Sequence, residues 1–477
     1  MNCHYDGGSN LIESKLQTGH NPKALFSSKK LFELIPAFLF MLLPAGIFYF
    51  ILFSNAVRIP ILDDYDIILG TLNEMKHHHA LFDKLLLIFT TEHNGYKLIF
   101  ENAVVAAQFS MFGHARILQL VFLGNSFPVL IFVTVIAMSR VTWEASPEKW
   151  ILLTPVAWLI FQLQYASALD FASSSLQHLA VISFSLLFIY LLTKGSRWVF
   201  SASCFVLILA VAASPNGFFA GAVGLLMLAQ KRRWRRIGAI AATLGALIAV
   251  YCFRYTPLAV DSSSNPGNAG LIHVNLIYAI SFLGASAARY LSIGPSLVLG
   301  IFLCAVFAFA VQRRYHRRNP AIFYSMLFII LNAVAVSGLR SDLGVAQSLA
   351  SRYRTYSNLF LAFSYLFFIE DLLPTWKKKA LKQIAFFGIL IVSIAFASLS
   401  DIAGARFLLG KKEALIASYR SEWQGVNFDI TKDVSMSGQQ VANPALLRQI
   451  EAGVYRINMP VFQEAVRNGV FLPPQNP

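Results

Sequence analysis

Charge is scarce in this 477-residue sequence: 13% of the residues are Asp, Glu, Lys or Arg, and the acids number only 24 against 39 bases. So thin a polar surface cannot cover a chain that is 56% hydrophobic, which excludes an ordinary soluble domain and leaves lipid as the solvent for the excess. Cysteine is rarer still, with four in the chain. Cys204, Cys252 and Cys304 lie in apolar runs and Cys3 near the N-terminus, without close pairing, which excludes a disulfide framework. No small-residue cleavage site follows the first apolar run, 31–54, and Lys23, Lys29 and Lys30 precede it; the run reads as an uncleaved anchor. No internal repeat is evident, which disfavours a transporter built from two similar halves. The span centres are also nearly free of charge, which disfavours a transporter or flippase of lipid-linked glycans.

What charge there is has a pattern. The net +15 is concentrated in short blocks between apolar runs: Lys231-Arg232-Arg233 with Arg235-Arg236, Arg313-Arg314 with Arg317-Arg318, and Lys377-Lys378-Lys379. Such blocks mark cytoplasmic loops rather than a nucleic-acid surface. Threaded against them, the runs 31–54, 117–138, 150–166, 178–193, 198–213, 217–230, 237–256, 293–311, 320–338, 357–372 and 384–400 predict an all-α polytopic membrane protein with about eleven transmembrane helices. Residues 1–30 become a cytoplasmic tail, 31–400 the membrane domain and 401–477 a small C-terminal domain on the outer side. The run 271–291 would reverse the arginine block if it crossed, so it is expected to be re-entrant or interfacial on the outer side. Ser214-Pro215-Asn216-Gly217 is expected to turn a hairpin inside the bundle. In the tail, 413–423 is amphipathic and Asn443-Pro444 has the form of a helix start.

Two outer loops carry the chemistry. The first, 55–116, holds Asp63, Asp64 and Asp66 in RIPILDDYDII, then Glu92-His93-Asn94, Lys97 and Glu101, with the apolar-faced stretches 81–89 and 98–112 suited to lying along the membrane surface. A carboxylate at that boundary can take a proton from an acceptor hydroxyl, and a second one nearby tunes or positions it. The second loop, 339–356, holds Arg340, Arg352 and Arg354, arginines on the side where the positive-inside rule disfavours them; a phosphate fits their guanidinium forks, and a salt bridge to Asp342 or a lipid headgroup is the plainer alternative. Arg254 and Arg289 are weaker candidates. Gln162, Gln164, Asp170 and His178 cluster at another outer turn. His77-His78-His79 point about 100° apart on a helix and cannot readily share a metal. A divalent cation between the three aspartates is chemically permitted without a spacing motif to require it.

The acidic pair in the first outer loop, the polar surface segments and the arginine-bearing later loop resemble the GT-C superfamily of integral-membrane glycosyltransferases, and LDDYD is similar to that superfamily's DD, DE or ED signature. TEHNGYKLIFENAVV and SLASRYRTYS look like segments of a bacterial branch that includes phage-type O-antigen glucosyltransferases. That branch commonly reads NEHR where this chain has TEHNG, so Asn94 replaces an arginine and Lys97 is the basic residue nearby. The resemblance implies an inverting transfer of sugar from a polyprenyl-phosphate donor to a cell-surface glycan or lipid acceptor. Asp63 would be first choice for the base and Asp64 second; Asp66, Glu92 and His93 would position the acceptor, and Arg352, Arg354, Arg340 and Lys97 would bind the donor phosphate. No cofactor is required by it. A polymerase or ligase working on the outer face is the related alternative.

Overall fold

In hydrocarbon every backbone N–H and C=O must be satisfied within its own segment, so long apolar runs become helices. The computed structural model describes residues 28–93, 95–140, 147–255, 275–288, 292–423 and 459–474. It is an all-α membrane protein with one exception among those residues, a two-stranded antiparallel hairpin in which Glu92 pairs with Lys97 and His93 with Tyr96. Among the described residues nine helices are long and apolar enough to cross a membrane: Leu34–Asn55, Ile117–Met138, Glu148–Leu169, Ala172–Leu192, Trp234–Cys252, Ile293–Gln312, Pro320–Leu343, Ser351–Thr375 and Lys379–Glu413.

The expected eleven crossings therefore resolve into nine long helices and two short ones, Arg197–Ala213 and Gly217–Gln230, of 17 and 14 residues. At 1.5 Å per residue these reach about 26 and 21 Å, short of the ~30 Å hydrocarbon core. They are held as a pair: the backbone of Ala210 and Val211 occupies the space that a Cβ on Gly217 would need, and Asn216 Nδ2 donates to Tyr356 Oη at 3.3 Å. The run 271–291 contains, where described, only the eight-residue helix Leu276–Leu283 and a 3-10 turn, Ala285–Ala287, so it does not cross as one helix. It packs against Ile293–Gln312 and Pro320–Arg340, with Gly284 against the backbone of Ser296.

The boundary expected at residue 401 falls inside one continuous helix, Lys379–Trp423. Its mid-part is fixed to the buried 163–170 turn by two contacts: Asp401 of the helix accepts from Leu163 N–H at 2.8 Å, and Lys411 pairs with Asp170 on that turn. Met459–Arg467 packs on the first loop. Residues 1–27, Asn94, Arg289 and Asn443-Pro444 lie outside the described residues.

One end of the bundle is cross-tied through Glu370 and Asp371. Glu370 accepts from Arg140 N–H (2.7 Å), Tyr315 Oη (2.6 Å) and Asn319 Nδ2 (2.9 Å), while Asp371, buried, pairs with Arg313 (3.0 Å) and Arg318. The basic blocks gather here, since Tyr324 Oη donates to Gln230 at the foot of the 231–236 block. The acidic loop and the arginine loop lie at the opposite end.

Candidate functional site

The chain leaves its first helix at Asn55 and reaches Asp63 through a turn that needs Leu62 at φ 52°, a left-handed conformation that costs a branched L-residue roughly 1–2 kcal/mol. The turn closes with Asp64 N–H donating to Ile61 O at 3.0 Å and continues into a π-helix, Tyr65–Gly70, an element frequent at functional sites. Its effect is to send neighbouring aspartates in opposite directions. Asp64 is fully buried and spans to the start of Ala172–Leu192, where its Oδ1 accepts from Ser173 N–H (2.8 Å) and Ser173 Oγ (2.7 Å) and its Oδ2 from Ala172 N–H (3.2 Å) and Ile61 N–H (3.3 Å). It caps that helix from a distance. Burial lifts its carboxyl to about 6, and the four hydrogen bonds oppose that rise.

Asp63 points outward. Its side chain is 47% exposed, and its Oδ2 lies 3.7 Å from His93 Nε2. Asp66 is exposed. The three aspartates thus do not converge on one point, and among the described residues no group of three or more His, Cys, Asp or Glu is placed to hold a metal ion.

The hairpin sorts the remaining first-loop candidates. Residues directly opposite in an antiparallel pair share a face and alternate residues face opposite ways, so His93 and Tyr96 share one face and Glu92 and Lys97 the other. On the first face, beside Asp63, Tyr96 hydrogen-bonds with Gln177 and lies in the fields of Arg340, Arg352 and Asp63. Burial raises its hydroxyl pKa, and Gln177 with the two guanidiniums pulls it back. His178 and Tyr278 lie in the fields of the same two arginines. On the second face Lys97 is completely buried. Its ammonium donates to the carbonyls of Val250 (3.2 Å) and Phe253 at the end of Trp234–Cys252, where a cation complements the helix dipole, and burial lowers its pKa. Tyr255 Oη adds a bond to Gly95 O at 2.8 Å. Lys97, expected at a phosphate, is thus committed to a helix end. Glu101 is buried on Ile99–Phe112, and that burial raises its pKa well above the ordinary carboxylate value.

The arginines divide similarly. Arg354 donates to Leu349 O and Gln164 O, both at 3.2 Å, and so staples the loop to the 163–165 turn. Gln164 in turn donates to Ser286 O at 2.7 Å, and Gln162 to the carbonyls of Trp158 and Leu159. Arg340 ends its helix and Arg352 opens the next; both are half-buried, and among the described residues neither has a carboxylate within ion-pair distance, Asp342 included. Arg352 stands in the first turn of Ser351–Phe367, where the helix N-terminus also favours an anion. Arg254 sits at φ 52° with its guanidinium over the Phe253 ring.

The site assembled by these contacts is Asp63 with His93, Tyr96, Gln177 and His178, then Arg340 and Arg352 with Tyr278. Sequence reasoning missed Tyr96, Gln177 and Tyr278. The signal for Tyr96 was Asn94-Gly95 between two short polar-aromatic pairs, the dipeptide of a tight hairpin, and Gly95 indeed takes φ 78°. What is shown beyond the site is a polytopic helical membrane protein. No family model matches the chain, and comparison with curated proteins and with solved structures yields no match.

Proposed function

We propose that the chain is a GT-C-type glycosyltransferase that moves a sugar from a polyprenyl-phosphate donor to a glycan or lipid acceptor on the outer face of a bacterial inner membrane. The observation that carries this reading is the pairing of an exposed carboxylate, Asp63, with two arginines that have no carboxylate partner among the described residues, across one hairpin face. Arg340, Arg352 and the helix N-terminus supply the charge for a phosphate, and Asp63 supplies a base. The acceptor oxygen attacks the anomeric carbon while its proton passes to the Asp63 carboxylate. The bond from that carbon to the phosphate oxygen breaks, and the electron pair leaves on the phosphate beside Arg340 and Arg352. A single displacement inverts the anomeric configuration. His93 orients Asp63, and the lipid-facing helices accommodate the prenyl chain. The basic blocks at the opposite end support an outer location for the site by the positive-inside rule.

The test is sugar transfer by purified variants in nanodiscs. Asp63→Asn should lower turnover by about 10²–10⁴-fold with donor affinity retained, and Arg352→Ala should weaken donor binding more than acceptor binding. Wild-type transfer by Asp63→Asn would sink the assignment of the base, and unchanged donor affinity in Arg352→Ala that of the phosphate site.

A further inference from the structure

We infer that the segment 459–474 is a positioning element for the acidic turn, acting chiefly through Phe462. The helix Met459–Arg467 has nine residues, too few to be stable alone, so its order depends on what it docks against. It buries Phe462 and Ala465 on one face, and the chain beyond it buries Val470 and Phe471. The Phe462 ring stands 6.1 Å from that of Tyr65, the first residue of the π-helix, and 5.7 Å from Phe471. Asn73 Nδ2 donates to Val461 O at 3.4 Å, and Ala115 N–H to Val470 O at 2.7 Å. One short segment therefore binds the π-helix, the helix after it and the far end of the first loop.

Tyr65 is two residues from Asp63, and Ile67 N–H donates to Asp63 O at 2.8 Å, so displacement of the π-helix displaces Asp63. The inner side of this turn is held by Asp64 on Ala172 and Ser173. The outer side is held by Phe462, from 397 positions further along the chain (462 − 65). The turn is thus clamped from both sides, and its strained Leu62 conformation persists because the surroundings fix it.

The catalytic meaning of this element rests on the glycosyltransferase reading; the mechanical claim does not. The experiment uses the full chain in nanodiscs, with native cysteines replaced by alanine. Phe462→Ser is made alone and combined with Ala115→Cys and Val470→Cys, whose disulfide would re-dock the segment. Hydrogen exchange over 61–70, donor binding and sugar transfer are measured. Phe462→Ser should speed exchange over 61–70, leave donor affinity unchanged and lower transfer by about a hundredfold, the scale of an ångström misplacement; oxidation of the cysteine pair should reverse both effects. Unchanged exchange over 61–70 would overturn the inference, as would loss of donor binding together with transfer, or failure of the disulfide to restore order. Exchange that responds and recovers, in a protein that never transfers sugar, would support the positioning element and refute the glycosyltransferase reading instead.

Discussion

At the scale of residues, Asp63 and Asp64 show how far neighbours can differ in work. Asp64 meets four donors with an acceptor-only group. Asp64→Asn would turn an amide N–H₂ toward some of them, and a loss of about 1–3 kcal/mol is expected, read as a lower melting temperature in detergent. A pH dependence accompanies it. The folded-state carboxyl sits at about 6 against an ordinary 3.8, so the folded protein holds the proton more tightly. The associated stability is present below pH 4 and is lost as pH rises to about 6. The melting temperature of the wild type relative to Asp64→Asn should therefore fall across that window, by the equivalent of about 3 kcal/mol. Matching profiles for the two proteins would contradict the assignment. The sequence could single out the acids because they follow a membrane exit. It could not separate them, because the groups that claim Asp64 lie 108 and 109 positions away.

At the scale of elements, direction matters more than proximity in sequence. Arg352 and Arg354 stand two residues apart on one helix and so about 200° apart around it, which is why one faces the aromatic cluster and the other the carbonyls of Leu349 and Gln164. Arg354→Ala should lower stability by about 1–3 kcal/mol while donor affinity persists, the reverse of Arg352→Ala; titration calorimetry beside a thermal melt separates the two. Lys97→Met, in turn, should weaken the anchorage of the hairpin to Trp234–Cys252 and expose 92–97 to proteolysis, with little change in donor affinity. The helices were legible because length and hydropathy decide them. The hairpin escaped notice because its strands have two residues each, too few for alternation to register.

At the scale of the whole molecule, the Glu370–Asp371 junction and the acidic turn occupy opposite ends. Asp371→Asn should cost about 1–3 kcal/mol, tempered because both arginine partners reach solvent, and the loss should shrink little at high salt since the carboxylate is buried. Cysteines placed at His78 and at Arg317 should react with impermeant reagents from opposite sides of the membrane; labelling of both from one side would invalidate the sidedness on which the functional reading depends. Counting nine crossings or eleven gives the same sidedness, because the short helices 197–213 and 217–230 enter and return together. The spans were readable from length and hydropathy alone, whereas the docking of 459–474 on the first loop was not, because no local pattern signals a contact between segments so far apart.

The π-helix Tyr65–Gly70 has a final implication. A π-turn holds one residue more than an α-turn, as an insertion would. Removing a single residue there would give an ordinary α-helix, hydrogen-bonded throughout and apolar as before, but turned by about 100° at its start. Asp63 would then leave the His93 side, and Asp64 and Tyr65 in the same turn would leave Ser173 and Phe462. One codon thus separates a chain with a carboxylate at the mouth of the site from one without.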